Sequence, residues 1–244
     1  MSAAITLATA RRILLQLRHD PRTVGMLLLI PTLLMVLLRY VLNAASLFDH
    51  AAPTLLAIFP FTLMFIITSI TVLRERTTTT LERLMTMPLA KIDLLLGYAI
   101  AFGAVTVLQV GLASLVSLTL LGLTVTGSIP LLLLIALLDA WLGMALGLFV
   151  SAFARSEFQA VQFFPLIALP QVLLCGLFIP RGQMAGALQV LAYLMPLSYA
   201  VEALDHVTVS ASITGTLIRD LLVVAGCIGV ALGLGAATLR RRTP

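Results

Sequence analysis

An all-helical bundle crossing a membrane about six times is the fold this sequence predicts, and three observations predict it. Of its 244 residues, 61% are hydrophobic and only 10% are charged, whereas soluble domains are nearer half apolar and a quarter charged. Mean hydropathy is +1.13, and the apolar residues gather into runs of about 20, the length a helix needs to cross the hydrocarbon core. The charges fall between those runs, mostly on one side. Too few remain to cover a water-soluble particle of this size, so lipid must solvate much of the surface.

The elements follow in order. Residues 3–20 read as an amphipathic helix, with Arg11, Arg12, Gln16 and His19 on one side and Ala10, Ile13, Leu14 and Leu17 on the other. Such a segment is too charged to span and apolar enough to lie among headgroups. Its mid-segment arginines, with no apolar run and small-residue cleavage site behind them, are not those of a cleavable signal. Pro21 is expected to break it. A first span covers residues 24–42. Pro31 is tolerated there because neighbouring helices satisfy the freed carbonyl, and Arg39 near its end can snorkel. After a short loop with Asp49 and His50, a second span covers residues 53–73. The most charged stretch, residues 74–93, comes next. A third span, residues 94–123, is long enough to tilt. The turn Thr126-Gly127-Ser128 leads into a fourth, residues 130–150. Beyond Arg155, Ser156 and Glu157, a fifth span covers residues 161–179, with Pro165 and Pro170 as kinks. Residues 180–219 are mixed, and their best apolar run, 184–195, is too short to cross a bilayer. A sixth span, residues 221–239, precedes Arg240, Arg241 and Arg242.

Placing the N-terminus in the cytoplasm puts twelve basic residues inside and only Arg39, Arg181 and Arg219 on or near the other side. That is the positive-inside asymmetry, and it predicts both termini in the cytoplasm. The net charge of +5 is then a matter of topology and not a footprint for nucleic acid.

Several kinds of chemistry are missing. There is no G-x-x-x-x-G-K-[ST], no H-E-x-x-H and no G-x-S-x-G, and the three histidines lie in separate segments. The chain is expected to hold no catalytic residue, metal or cofactor, and to draw energy from a gradient or a partner. Cys175 and Cys227 sit in apolar stretches and read as two buried thiols. Asp139 is the one acid deep in a span. Gly143, Gly147 and Ser151 share its face at four-residue steps, and small residues let another helix come close, so the carboxyl is expected to point into the bundle. An intramembrane acid is a functional candidate, with a packing role as the competing reading. Gly229 and Gly233 make a second expected close-packing stripe. Phe59, Thr62 and Phe65 in the second span, with Gln162 and Phe163 in the fifth, give the aromatic, sparsely polar lining that an amphiphile pathway needs. Ordinary bundle packing competes for each of them.

Thr79-x-x-Glu82 is a capping box, opening a short helix with Leu81, Leu84 and Met85 on one face and Pro88 at its close. The stretch E-R-T-T-T-T-L-E-R-L-M-T-M-P, residues 75–88, resembles the first cytoplasmic loop of type-2 ATP-binding-cassette (ABC) exporter permeases, typically E-R-E-R-G-T-L-E-R-L-L-x-T-P. M-P-L-S-Y-A-V-E-A-L, residues 195–204, is similar to that family's P-x-x-Y-x-x-x-x-L ending. The order of elements matches over nearly the whole chain, nearest the daunorubicin-resistance-like drug-exporter branch. Thr77 and Thr79 stand where the family prefers Glu and Gly. The resemblance implies a coupling helix within residues 74–93, with Glu75, Arg76, Leu81, Glu82, Arg83 and Leu84 docking into a groove of a separate ABC ATPase subunit. It implies ATP and Mg bound by that partner, present in two copies, and a homodimer or a heterodimer with a similar permease. It also implies a re-entrant hairpin at residues 184–204 plugging the outer mouth, and export of a hydrophobic or amphiphilic substrate, drug or lipid-like, across a bacterial cytoplasmic membrane. The alternative is a gradient-driven secondary transporter using Asp139. A membrane-embedded enzyme is disfavoured by the missing nucleophile–base pairs.

Overall fold

The computed structural model describes residues 3–77 and 91–238. Leu81, Glu82, Arg83 and Leu84, with the rest of the capping box, lie outside the described residues. Within them the chain is helical throughout its ordered elements, with no strand, and six of its helices are long and apolar enough to cross a membrane.

Helix α1 (Ala3–Arg18) is the amphipathic segment, and it buries Thr6, Thr9, Ala10 and Ile13. Pro21 ends nothing beyond it. Pro21 opens α2 (Pro21–Leu42), because the first turn has no need of its missing N–H and Asp20 caps that turn, accepting from the Thr23 amide at 3.2 Å and the Thr23 hydroxyl at 2.6 Å. Asn43, in the left-handed region at φ 46°, closes α2. Helix α3 (Ala45–Thr77) starts eight residues before the expected span. Asp49 and His50 are therefore in its first turns and not in a loop, since residues 45–52 contain no breaker and Phe48 and Ala52 are buried. Its 33 residues exceed the roughly 20 that a bilayer needs, so α3 projects beyond the apolar layer.

Helix α4 (Lys91–Thr119) ends short of Leu123. Its last turn closes through the Leu123 amide to the Ser117 carbonyl, while Gly122 takes φ +74°. Helix α5 (Ile129–Ser151) follows a Ser128 cap. The fifth span, expected at residues 161–179, runs instead over Glu157–Leu174. Ser156 caps it through the Gln159 amide, and Gly176 at φ +109° stops it early. It is broken as the prolines require: α6 (Glu157–Phe163), a π-turn (Phe164–Ala168) holding Pro165, then α7 (Leu169–Leu174) holding Pro170. A 3-10 turn (Arg181–Gln183) leads to α8 (Gly186–Leu194) and α9 (Pro196–Val209), which meet at a 90° bend. Helix α10 (Gly215–Thr238) begins six residues before the expected sixth span, its first turn capped by the Thr214 hydroxyl accepting from the Leu217 amide.

Helices α3 and α5 form the axis. In each, 61% of the most apolar window is buried, against 22% for α2 and 17% for both the fifth span and α10. The peripheral helices expose large apolar side chains such as Leu33, Leu37, Leu166, Leu173, Leu222 and Val230, which suit lipid or a second membrane subunit. The bundle has two ends. One carries α1 and the termini of α3 and α4 that flank residues 78–90; the other carries the α8–α9 hairpin.

Candidate functional site

At the α1 end the chain is tied on both sides of the exit from α3. Glu75 is turned inward, 8% exposed. The Arg12 Nη2 donates to its Oε2 at 2.9 Å, and the Tyr98 hydroxyl donates to the same oxygen. One carboxylate thus joins α1, α3 and α4. The helix α1 backbone can come this close because Gly97 of α4 leaves room for Thr9, whose side chain a Cβ there would strike. The neighbouring Arg74 points the other way and grips Glu157 at the start of the fifth span with two bonds, Nε to Oε1 at 2.6 Å and Nη2 to Oε2 at 2.9 Å. That fork is exposed and contributes no more than about 1 kcal/mol, but it fixes direction. Of the residues assigned to docking by sequence, Glu75 is thus engaged within the chain. The Arg76 backbone continues α3, and the other four fall among residues 78–90.

At mid-bundle Asp139 is fully buried, and neither carboxyl oxygen has a hydrogen-bond partner among the described residues. The face it shares with Gly143 and Gly147 lies on α3, where a Cβ at Gly147 would sit 2.5 Å from the Phe65 carbonyl and one at Gly143 would overlap the Phe61 backbone. Gly229 and Gly233 behave otherwise: no described atom lies within 4 Å of a Cβ at either, so the expected second stripe meets no neighbour among the described residues. Gln109 of α4 escaped the sequence reading, yet it is fully buried with both amide atoms unpartnered among the described residues. A lone glutamine within a long apolar run was the only signal for it.

The five residues expected to line a pathway separate. Phe65 is buried and its ring centroid lies 6.1 Å from that of Phe164, joining the second and fifth spans. Phe59, Thr62 and Phe163 are half-buried, while Gln162 is exposed on the outer face of the fifth span.

The hairpin end is closed by polar stitches. The Thr126 and Gly127 amides donate to the Thr208 and Val207 carbonyls at 2.9 and 3.0 Å, binding the α4–α5 loop to the end of α9. Asp49 of α3 accepts from the Thr124 amide and hydroxyl. Arg39, rather than reaching outward, donates to the Leu121 carbonyl at 3.1 Å and lies over the Phe48 ring. The start of α9 docks on α7: the Ser198 hydroxyl donates to the Leu174 carbonyl at 3.2 Å, and the buried Gln171 carboxamide accepts from the Leu197 amide. Arg181 lies between the rings of Tyr193 and Tyr199, at 5.0 and 4.9 Å, and pairs with Glu202 at 2.6 Å. Between α3, α9 and α10 a cavity of about 380 Å³ is lined by Asp49, His50, Glu202, Asp205, His206 and Asp220. No group of three or more His, Cys, Asp or Glu suited to a metal ion occurs among the described residues.

What emerges has a polar clamp at one end, a closely packed centre and a stitched, sharply bent helix pair at the other. Comparison with known proteins gives the chain a family. The chain is 28% identical over 206 residues to the probable multidrug ABC transporter permease YbhS of Escherichia coli strain K12, covering 84% of this chain and 55% of that protein. It is 29% identical over 141 residues to the inner membrane transport permease YhhJ of the same organism, covering 57% and 38% respectively. To the ABC transporter G family member 20 of Dictyostelium discoideum it is 23% identical over 159 residues, or 65% of this chain and 22% of that one. The chain thus spans about half the length, or less, of the curated relatives it matches. The family model described as ABC-2 type transporter matches residues 3–208, from the first residue of α1 to the last turn of α9. With that match covering five of the six spans and the hairpin, the chain belongs to the ABC-2 type transporter family of membrane proteins.

Proposed function

We propose that this chain is the permease subunit of an ATP-driven exporter that moves a hydrophobic or amphiphilic substrate, drug or lipid-like, out across a bacterial cytoplasmic membrane. The family membership and the relatives named as multidrug and transport permeases support it. ATP and Mg are bound by a partner ABC ATPase subunit, two copies to a complex, and two permeases, identical or similar, enclose the pathway. The α1 end faces the cytoplasm, where twelve of the fifteen basic residues then lie.

One observation carries the reading. Two adjacent residues in the last turn of α3, shortly before residues 78–90, are tied to opposite sides of the bundle: Glu75 to α1 and α4, Arg74 to the fifth span. A push on the coupling segment between α3 and α4 is therefore delivered to three spans and the interfacial helix at once. The fifth span has its π-turn and two prolines beyond that point, a natural place to bend. The Phe65–Phe164 contact sits against the turn. The sparsely covered outer face of the fifth span, with Phe158, Leu166 and Leu173 exposed, is where the second permease packs.

The test is aimed at the coupling segment. A helix held in a groove depends on a few apolar anchors, and losing one often costs more than about 1–2 kcal/mol of binding. Leu81→Asp with Leu84→Asp is expected to leave the permease inserted and its melting temperature unchanged, yet to abolish co-purification with its ATPase in mild detergent. Undiminished co-purification would overturn the coupling assignment.

A further inference from the structure

The second limb of the hairpin, α9, buries Leu197, Val201 and Leu204 in the apolar core, whereas the first limb is held by something other than apolar packing. That first limb, α8, buries only Ala192, while Leu188, Val190, Leu191 and Leu194 are exposed. It is tethered through a stack of charges and rings. The Arg181 guanidinium, on the 3-10 turn that follows the fifth span, is sandwiched between Tyr193 of α8 and Tyr199 of α9. Its Nη2 donates to the Ser198 carbonyl at 2.8 Å and pairs with Glu202 at 2.6 Å. Arg219 of α10 approaches the Tyr199 ring at 5.7 Å, stands 3.8 Å from Glu202, and pairs with Asp220 at 2.7 Å. The Tyr199 hydroxyl donates back to the Tyr193 carbonyl at 2.8 Å, across the 90° bend. Four elements are thus joined through two arginines, one shared carboxylate and one shared ring.

We propose that Arg181, Tyr199, Glu202 and Arg219 form a latch that keeps the re-entrant hairpin shut over the outer mouth of the pathway, and that export requires this stack to part. The proposal rests on the exporter reading, in which the hairpin is the outer gate. Three features make the stack releasable where a weld would not be. The Arg181 side chain is only 11% exposed, yet its Nη1 has no partner among the described residues, so the closed state leaves a buried donor unsatisfied at a cost. Glu202 is half exposed, at 46%, so water can solvate it as the pair opens. The turn also has room to pivot: Gly176, at φ +109°, precedes it, Gly182 lies within it, and a Cβ at either would meet no described atom within 4 Å. Arginine suits the task because its flat guanidinium stacks on rings while forking to a carboxylate, which an ammonium cannot do.

The chain carries its own reporter. Cys175 is 3% exposed and directly follows Leu174, whose carbonyl receives the Ser198 hydroxyl, so this buried residue adjoins the docked start of α9. The experiment follows labelling of Cys175 by a membrane-impermeant maleimide added from outside to cells or right-side-out vesicles holding the full complex, in a Cys227→Ala background. Without turnover the parent is expected to label slowly. Glu202→Gln and Arg181→Ala are expected to label about tenfold faster or more. Arg181→Lys keeps a charge for Glu202 but not the planar stack, and is expected to label faster as well; it decides the matter should Arg181→Ala fail to fold. Unchanged labelling in Glu202→Gln and Arg181→Lys, with melting temperatures intact, overturns the latch. A second arm separates that failure from a failure of the exporter reading. If parent labelling rises when the partner ATPase turns over, the hairpin is the gate whatever holds it. If turnover changes nothing, the gate reading itself falls, and the latch with it.

Discussion

Two glycines four residues apart set how closely α5 approaches α3. At Gly143 and Gly147 any side chain would run into the backbone of Phe61 and Phe65, and backbone cannot rotate out of the way as a side chain can. Gly143→Val is therefore expected to cost about 2 kcal/mol or more, read as a clear fall in the melting temperature of the solubilised chain. Gly229→Ala, which meets no atom within 4 Å, is expected to leave it unchanged or slightly raised, because alanine is the better helix former. The sequence spacing brought Asp139, Gly143 and Gly147 onto one face, and that face does meet a helix. The same reasoning at Gly229 and Gly233 finds no neighbour among the described residues, because small residues permit close approach without supplying a partner. Glu75 was legible as part of a charged motif, but its direction was not. Arg12, its partner, lies 63 residues away, and no local pattern records such a pairing. The Arg181 stack was hidden for the same reason: its cations and rings are set against one another by the hairpin bend.

At the scale of elements, prolines were read correctly where they kink and wrongly where they begin. Pro165 and Pro170 break the fifth span because each removes an amide from mid-helix. Pro21 and Pro53 do not mark boundaries in the expected sense. Pro21 sits in a first turn, and Pro53 lies within α3, where the preceding turn carries Phe48 into the core. The α8–α9 pair was visible as apolar but too short to cross, and its bend brings an ionisable group of α9 against α3. Burial pushes the Asp205 carboxyl up to about 6 and Glu202 adds to this, while His50 and the Thr54 hydroxyl draw it down. Asp49, His206 and Asp220 line the same cavity. The folded chain then holds a proton that the unfolded chain, near the ordinary 3.8, has already released. Between those values the native state binds more protons, so stability attributable to Asp205 falls as pH rises through the window and the penalty is complete above it. Asp205→Asn is expected to gain melting temperature over the parent at pH 7.5, with the gain shrinking toward pH 4. A difference between the two proteins that is independent of pH would contradict this.

For the whole molecule, composition carried most of the information. The excess of apolar residues forced a membrane solvent, and the basic residues predict a direction for the bundle by their asymmetry. What composition could not give is which helices are central. Helices α2, α3, α5 and α10 have nearly the same mean hydropathy, 2.2 or 2.3, yet their buried shares run from 17% to 61%. Hydropathy fixes only that a helix leaves water; neighbours decide whether it meets lipid or protein. The same limit applies to Asp139, which would look alike in a proton-driven carrier and in a packed bundle. In the proposed exporter, energy enters from ATP at the α1 end and not through that carboxyl. The most direct measurement is uptake of a lipophilic fluorescent drug into inverted membrane vesicles holding the permease with its ATPase, with ATP added outside, where the cytoplasmic face is exposed. Uptake is expected to depend on ATP, to survive a protonophore and to be largely retained by Asp139→Asn. Uptake that needs no ATP, and that is abolished both by the protonophore and by Asp139→Asn, would contradict the exporter reading.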